Sequence, residues 1–253
     1  MTGKPSGALE LNLEYINTQL ESLDAEQIIQ WAVTTLPGLY QTTAFGLSGL
    51  VTIDMISRLY PEKSPVNLIF LDTLHHFKET LDLIDQVKRR YPSIEIHTYK
   101  PENASTEQEF AVAYGEKLWE VNDILYDYVS KVEPADRAYA ELAVKAVFTG
   151  RRRSQGAARL ELPIVELTPE GILKINPLAN WSFAEVHSYI KQHSVPYNAL
   201  LDKGYRSIGD YHSTLPVGEG EDERAGRWKG KSKTECGIHQ TERFASVRKQ
   251  EST

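Results

Sequence analysis

Short apolar runs alternate with amphipathic segments through most of the chain. The runs lie at residues 40–45, 67–72, 94–99, 144–148 and 163–167. Each has the length of a buried strand, and apolar positions with helical spacing fall between them. Strands that alternate with helices predict an α/β fold, with a mostly parallel sheet and helices on both faces.

Boundary signals support this alternation. Three pairs of residues have the spacing of a capping box, which opens a helix: Asp24 with Gln27, Ser105 with Gln108, and Ser182 with Glu185. Residues 46–49 predict a tight loop before a helix that begins at Leu50. Gly171 is expected to turn a hairpin between residues 164–167 and 172–175.

The pattern changes after Tyr205. Residues 205–236 are rich in Gly, Ser and charged side chains and show no apolar periodicity. We therefore expect three parts: N-terminal helices at 1–38, an α/β domain at 39–204, and a flexible C-terminal tail at 205–253 that docks only in some states.

Composition excludes several classes of protein. The chain has 253 residues and a formal net charge of −7, which makes it a poor partner for nucleic acid. No run approaches the ~18 apolar residues of a membrane span, and the N-terminal residues lack the apolar core of a signal peptide. We therefore expect a cytoplasmic protein that binds neither nucleic acid nor membrane.

The chain contains one cysteine, Cys236. A single cysteine rules out an intrachain disulfide, a CxxC redox pair, a cysteine-rich zinc site and an all-cysteine iron–sulfur cluster. Any thiol chemistry therefore uses one sulfur atom and a partner from outside the chain.

Candidate binding segments follow three of the predicted strands, where α/β sheets bind ligands. The segment TTAFGLSG at residues 42–49 suits a phosphate group, because glycines and a helix N-terminus present free N–H groups. Asp72 and Thr73, with His75 and His76 beyond them, have the place of an adenosine-binding pair. A plain turn and a helix cap are the respective alternatives.

The third segment carries four arginines within nine residues: Arg151, Arg152, Arg153 and Arg159. They follow an apolar strand instead of lining a helix face. Guanidinium groups bind phosphate and sulfate in a forked geometry, and clustered like charges repel one another unless an anion joins them. We favour an anion site over a solvated basic surface.

A fourth candidate is Cys236 itself. Free cysteines are most often inert core residues, but this one lies in a polar, glycine-containing segment. Lys233 and His239 favour its thiolate form, whereas Glu235 opposes it. Trp228 lies among basic residues of the same tail, where it either packs loosely at the surface or closes over a ligand.

These segments, in this order, resemble the 3′-phosphoadenylyl-sulfate (PAPS) reductase family of sulfate assimilation. The matching motifs read KVEP at residues 131–134, TGRRR at 149–153 followed by Arg159, GYRSIGD at 204–210, and ECGIH at 235–239. The ECGIH motif is the most diagnostic of them, and the resemblance spans most of the chain.

The resemblance implies a Rossmann-like fold of the adenine-nucleotide α-hydrolase type. It also implies reduction of PAPS to sulfite with thioredoxin as electron donor, no bound cofactor, and a homodimer. The first loop, FGLSGL at residues 45–50, lacks the aspartate of the SGGxDS loop in related ATP pyrophosphatases, which argues against ATP hydrolysis. Sister adenylyl-sulfate reductases hold a [4Fe–4S] cluster with four cysteines, so a single cysteine favours the cluster-free enzyme and the phosphorylated substrate.

Residue roles follow from the resemblance and from charge. The expected catalytic residues are Cys236, His239, Arg153 and Arg159. The expected substrate-binding residues are Thr42, Thr43, Gly46, Leu47, Ser48, Gly49, Asp72, Thr73, Lys131, Gly150, Arg151 and Arg152. Within this set the first loop takes the 5′-phosphate region, and Lys131 takes the 3′-phosphate by resemblance alone. No metal ligand is expected.

Two other functions stay open. An ATP-dependent adenylating transferase on the same fold would release pyrophosphate. A non-catalytic nucleotide-binding module would bind adenosine 3′,5′-bisphosphate without any effect of thioredoxin.

Overall fold

The structure is a computed structural model that describes residues 12–156, 159–218, 220–230, 233, 235–239 and 241–244. Its strands are β1 Leu39–Thr43, β2 Asn67–Leu71, β3 Ile96–Tyr99, β4 Ala146–Phe148, β5 Val165–Leu167 and β6 Leu173–Ile175. Its α-helices are α1 Leu13–Leu20, α2 Ala25–Thr35, α3 Leu47–Leu59, α4 Lys78–Arg90, α5 Glu107–Tyr114, α6 Leu118–Val121, α7 Asp123–Asp127, α8 Glu133–Glu141 and α9 Phe183–Gln192. A π-helical turn, Tyr128–Val132, joins α7 to α8.

The six strands form one sheet in the order β3-β2-β1-β4-β6-β5. Every neighbouring pair is parallel except β5 and β6, which form the antiparallel hairpin expected around Gly171. The predicted α/β fold with a mostly parallel sheet is therefore confirmed. β1 and β4 are neighbours although they are far apart in sequence, so the strand order reverses between them.

The sheet is buried on both faces. Along β2, Leu68 and Phe70 join the larger hydrophobic core, whereas Ile69 and Leu71 join a second core on the opposite face. This alternation follows from the two-residue repeat of a strand and explains why the NLIFL run is apolar throughout. Helices α2, α3, α4 and α9 pack into the larger core, and α8 packs into the second.

Two of the predicted capping boxes are confirmed, at Asp24 for α2 and Ser182 for α9. The third prediction is wrong by one residue, because Thr106 caps α5 by accepting a hydrogen bond from the Glu109 N–H at 3.2 Å. Helix α3 begins at Leu47, three residues earlier than expected, so the predicted loop at 46–49 contains its first turn.

The C-terminal segment lies against the domain over its described residues. Asp210, Trp228 and Glu235 are buried, and Phe244 packs into a third core formed with the helices around Tyr126. The mobility expected for this tail stays a prediction. None of the helices in the described part of the chain combines the length and apolar character needed to cross a bilayer.

A buried carboxylate ties three helical segments together. Asp54 in α3 accepts hydrogen bonds from the Tyr91 hydroxyl at 2.9 Å and from the Tyr189 hydroxyl at 2.8 Å. Burial, together with the neighbouring Asp54 carboxylate, raises the pKa of both phenols well above the usual range, so both remain donors at any physiological pH.

Replacing Tyr189 by Phe should lower the free energy of unfolding by about 1–3 kcal/mol, because Asp54 loses one of two donors in a buried setting. Urea denaturation measures the change. Tyr15→Phe is the control, since Tyr15 is 62% exposed, and it should shift stability by less than about 0.5 kcal/mol. Equal stability of Tyr189→Phe and the parent protein would contradict this role of Asp54.

Candidate active site

A cavity opens at the carboxyl ends of the central strands, beside the point where the strand order reverses. Open α/β sheets bind ligands at this position, because loops diverge there to opposite faces. Its walls come from the segments after β1, β2 and β4, and the C-terminal segment covers it. The strand-end residues at the walls are Thr42, Thr43, Gly46, Leu47, Ser48, Gly49, Thr73, Thr149, Gly150, Arg151, Arg152 and Arg159.

The loop after β1 presents a helix N-terminus to the cavity. Gly46 caps α3 and offers no side chain to its first N–H groups. Phe45, just before it, has a left-handed backbone with φ of 55°, and its N–H donates to Thr43 Oγ1 at 2.9 Å. Such strained turns occur at ligand sites, and exposed N–H groups with a positive dipole end suit an anion.

Positive charge dominates the cavity although the chain is acidic overall. Among the described residues, eight basic side chains line it against two acidic ones, Asp210 and Glu223. The basic residues are Lys131, Arg151, Arg152, Arg159, Lys174, Arg206, Arg224 and Arg227. A low-dielectric cleft that concentrates one sign of charge attracts a ligand of the opposite sign. The cavity therefore fits a polyanion.

Two of the predicted arginines hold the C-terminal segment. Arg152 donates to both carboxylate oxygens of Glu223 at 2.7 Å and to Ser48 Oγ at 2.8 Å. Arg159 donates to both oxygens of Glu235 at 2.6 Å. All four charged side chains are buried. Arg159 uses its fork, Nε and Nη2, whereas Arg152 contacts Glu223 through Nη2 alone, so carboxylates of the tail occupy part of each guanidinium.

The other two arginines differ in position. Arg151 lines the cavity and pairs with Glu166 at 2.5 Å. Arg153 does not reach the cavity: its guanidinium pairs with Glu21 in the loop after α1 and donates to the Leu162 carbonyl at 2.8 Å. Arg153, which the sequence places among the catalytic residues, therefore lies outside the cavity lining, because Glu21 and the Leu162 carbonyl hold its guanidinium.

Asp72 also lies outside the cavity. Its Oδ1 accepts from the Leu74 N–H at 3.0 Å, and its Oδ2 lies 3.7 Å from Lys100 Nζ. The alternative, a helix cap, is not present either: α4 begins at Lys78 with Phe77 as its N-cap, and the contact of Asp72 with Leu74 closes a local turn. Thr73 does line the cavity, where its hydroxyl donates to Asp210 Oδ1 at 2.7 Å.

Lys131 is held between two carboxylates. Its Nζ lies 2.7 Å from Asp210 Oδ2 and 3.1 Å from Asp127 Oδ1. Burial opposes its charge, but the two aspartates outweigh that effect and raise the pKa of Lys131 well above its usual value. Its charge is already balanced within the protein, which weakens its assignment to the 3′-phosphate.

Cys236 faces the cavity and is partly exposed. Four basic side chains lie near enough to interact with it electrostatically: Lys131, Lys174, Lys233 and Arg227. Lys174 also donates to the Ile238 carbonyl at 2.9 Å, two residues beyond the cysteine. Cationic surroundings of this kind are typical of reactive cysteines. His239 is described by its backbone alone, in a 3₁₀ turn next to Cys236, so its predicted role stays a prediction.

Sequence reasoning did not assign four of the cavity cations, Lys174, Arg206, Arg224 and Arg227, and Arg227 stands out among them. Its Nε is buried without a hydrogen-bond partner, and no carboxylate of the described residues lies within ion-pair distance. Burial lowers the pKa of its guanidinium despite the charge of Asp210. Its guanidinium lies 4.4 Å from the Trp228 ring centroid, a cation–π distance. The one sequence signal for Arg227 is its place beside Trp228, whose side chain is buried.

A sequence profile of the phosphoadenosine phosphosulfate reductase domain matches residues 38–216, most of the chain. The chain belongs to the phosphoadenosine phosphosulfate reductase family. It is therefore an enzyme that reduces a sulfonucleotide.

Relatives of this family resemble the chain over most of its length. The phosphoadenosine phosphosulfate reductase of Emericella nidulans is 61% identical over 229 residues, which cover 90% of this chain and 75% of the relative. That of Saccharomyces cerevisiae is 58% identical over 244 residues, 94% of each chain. The crystal structure of the Candida auris enzyme in complex with phosphate superposes with a TM-score of 0.76 at 52% identity, covering 83% of this chain and 100% of that one.

Among the residues that the structure describes, no group of three or more His, Cys, Asp or Glu side chains is placed to hold a metal ion. The whole chain has one cysteine, which cannot ligate a four-cysteine cluster.

Gly209 offers a selective way to test Arg227. A Cβ at Gly209 would lie 2.4 Å from Arg227 Nη2, so the guanidinium would have to move. Because that group is the end of a flexible side chain, Gly209→Ala should leave the melting temperature nearly unchanged. It should weaken binding of adenosine 3′,5′-bisphosphate by about tenfold, through displacement of a cavity cation. Isothermal titration calorimetry measures the affinity.

Gly218→Ala is the matched control in the same segment. A Cβ at Gly218 meets only ordinary contacts with Glu221, at 3.5 Å. Its nucleotide affinity should match that of the parent protein. Unchanged affinity in Gly209→Ala would remove Arg227 from the anion site.

Proposed function

We propose that this reductase converts PAPS to sulfite and adenosine 3′,5′-bisphosphate, with thioredoxin as electron donor and an S-sulfocysteine on Cys236 as intermediate. One observation carries the proposal: the single thiol of the chain faces a strand-end cavity lined by eight basic side chains. A nucleotide that carries two phosphates and a sulfate is the kind of polyanion such a cavity fits.

The choice of PAPS over its unphosphorylated counterpart rests on charge and on the relatives. Three cavity cations, Lys174, Arg206 and Arg227, have no carboxylate within ion-pair distance among the described residues. Carboxylates neutralise the arginines of the buried arginine–glutamate pairs. The charges of these three cations are not neutralised in this way, so they are available to the anionic groups of the substrate. The relatives from Emericella nidulans and Saccharomyces cerevisiae, both named phosphoadenosine phosphosulfate reductase, are 61% and 58% identical to this chain.

In the first step the Cys236 thiolate forms a bond to the sulfur of the sulfuryl group. The bond from that sulfur to the bridging oxygen of the 5′-phosphate breaks, and its electron pair leaves with adenosine 3′,5′-bisphosphate. The product is S-sulfocysteine. Cations near Cys236, including Arg227 and Lys174, reduce the repulsion between a thiolate and a polyanion and stabilise the charge on the leaving phosphate.

In the second step a thioredoxin thiolate attacks Cys236 Sγ and displaces sulfite. The second thioredoxin thiol then resolves the mixed disulfide and restores the Cys236 thiol. Sulfur is reduced by two electrons from sulfate to sulfite, and one dithiol is oxidised to a disulfide. A chain with one cysteine therefore suffices for the reaction.

The nucleotide would lie across the strand ends. The N–H groups at the start of α3 and the hydroxyls of Thr42, Thr43 and Ser48 suit the 5′-phosphate region. Thr73 and the segment around Ile208 are the nearest walls for the adenosine. Arg152 and Arg159 act mainly by holding Glu223 and Glu235, so they shape the closed site.

We also place the enzyme in assimilation of sulfate towards cysteine and methionine, in the cytoplasm, and as a homodimer. These points follow the family resemblance. No iron–sulfur cluster takes part in the proposed chemistry, because the thiol and the external dithiol account for both electrons.

An ATP-dependent transferase, which the sequence alone left open, is the alternative that the family match disfavours. The first loop reads FGLSGL and lacks the aspartate of the pyrophosphatase loop. Release of pyrophosphate from ATP and Mg²⁺ by the purified chain would favour this alternative over the reductase.

Mass spectrometry of the intact protein tests the intermediate. After mixing with PAPS in the absence of thioredoxin, the chain should gain one SO₃ group located on Cys236, and addition of reduced thioredoxin should remove it as sulfite. A chain that turns over PAPS but never carries the group would contradict the proposal.

Cys236→Ser is the matched variant. It should form no sulfite, because a serine hydroxyl is a far weaker nucleophile at neutral pH. Its affinity for adenosine 3′,5′-bisphosphate should stay within about threefold of the parent value, since the cavity cations are unchanged. Equal loss of binding and turnover would show that Cys236 supports the fold of the site instead of the chemistry.

A further inference from the structure

A row of four buried side chains with alternating charges runs beneath the cavity. It connects Asp210, Lys131, Asp127 and Lys233 in that order, through the contacts of Lys131 with both aspartates and an ion pair between Asp127 Oδ2 and Lys233 Nζ. All four side chains are at most 9% exposed. With two positive and two negative charges, this row of four side chains is neutral.

The first and last side chains of this row belong to the C-terminal segment, and the two in the middle belong to the domain. Asp210 and Lys233 lie in the segment that covers the cavity. Asp127 ends α7, and Lys131 lies in the π-helical turn that follows. π-Helical turns are rare and concentrate at functional sites. Here the turn places Asp127 and Lys131 side by side beneath the covering segment.

Asp127 holds the lysine that precedes the nucleophile. Lys233 lies three residues before Cys236, and Asp127 is its one carboxylate partner among the described residues. Burial lowers the pKa of Lys233, so its charge depends on that carboxylate. Burial alone would raise the pKa of Asp127, but Lys131 and Lys233 outweigh it and lower the pKa. Removing either member leaves the other as a buried charge with weaker compensation, which is strongly unfavourable.

A second attachment lies directly beside Cys236, where Glu235 pairs with Arg159 at 2.6 Å. One pair alone would let the segment pivot. Two attachments, at residues 233 and 235, fix both the distance of Cys236 from the cavity and the direction in which it points. Asp127 does not line the cavity, so it acts on the thiol through its lysine partners: Lys233 in the Cys236 segment, and Lys131 in the cavity wall.

We propose that Asp127 is a positioning residue for the nucleophile, which anchors the Cys236 segment over the cavity through its buried ion pair with Lys233. The consequence for the reaction rests on the proposed function, since it assumes that Cys236 attacks the substrate. The anchoring itself does not, and it can be measured without substrate.

Because Cys236 is the one cysteine in the chain, alkylation by iodoacetamide reports on this residue alone. Asp127→Asn removes the charge but keeps the size of the side chain. It should raise the alkylation rate of Cys236 about five- to tenfold in the absence of nucleotide, because local opening of the segment becomes easier. Asp127→Glu, which restores the charge, should recover part of the protection.

Catalysis supplies a second readout. In Asp127→Asn, single-turnover transfer of SO₃ from PAPS to Cys236 should slow about tenfold, because a misplaced nucleophile loses the benefit of orientation. Binding of adenosine 3′,5′-bisphosphate should not weaken, since the cavity cations remain. A general loss of structure would instead reduce binding and transfer together.

Asp85→Asn is the matched control, because Asp85 is exposed on α4 and takes part in no ion pair of the described structure. It should behave like the parent protein. Lys233→Met removes the other partner and should raise alkylation as Asp127→Asn does, and the double variant should add little to either. If Asp127→Asn does not fold, Lys233→Met decides the question.

Alkylation rates of Asp127→Asn and Lys233→Met within about twofold of the parent rate would overturn the proposal, as would equal weakening of binding and transfer. Faster alkylation in both variants, with no SO₃ gained by the parent protein, would keep the anchor and reject the proposed function.

Discussion

Two buried arginine–glutamate pairs hold the C-terminal segment over the carboxyl ends of the sheet. Arg152 binds Glu223 and Arg159 binds Glu235, each through both oxygens of the carboxylate. Buried ion pairs add little net stability, because removing the charges from water offsets most of their attraction. Their value lies in geometry: each contact engages both carboxylate oxygens, which restricts the orientation in which the segment docks. That orientation brings Cys236 and Arg227 to the same cavity as the loop after β1.

The pairs also divide the basic residues of the cavity into two groups. Those with carboxylate partners organise the protein, whereas Arg227, Lys174 and Arg206 keep charge available for a ligand. Arg227 is the clearest member of the second group, because its Nε is buried without a partner and Gly209 leaves the room that its guanidinium occupies. A buried donor that the protein leaves unsatisfied favours an anion that completes its hydrogen bonds. The excess of positive charge in the cavity therefore follows from where the tail places its carboxylates.

Local patterns in the sequence predicted the sheet, the hairpin and two capping boxes, because strand periodicity and caps depend on near neighbours. The first loop, the arginine segment and Cys236 were also recognisable, the last with the help of the family motif. The arginines could not be told apart in this way. Arg152 and Arg153 are adjacent in sequence, yet one pairs with Glu223 in the cavity and the other pairs with Glu21 outside the cavity lining. Likewise, the polar tail lacks a periodic apolar pattern because ion pairs, and single anchors such as Trp228 and Phe244, hold it in place.

In the proposed reaction, the docked segment brings the sulfur of Cys236 and the guanidinium of Arg227 to one sulfuryl group. A crystal structure of the Cys236→Ser variant with PAPS tests it most directly. The account predicts the sulfur of the substrate within about 3–3.5 Å of the serine Oγ, in line for attack, with Arg227 donating to a sulfuryl oxygen. A sulfuryl group that points away from residue 236, or that contacts none of the cations without carboxylate partners, would contradict it.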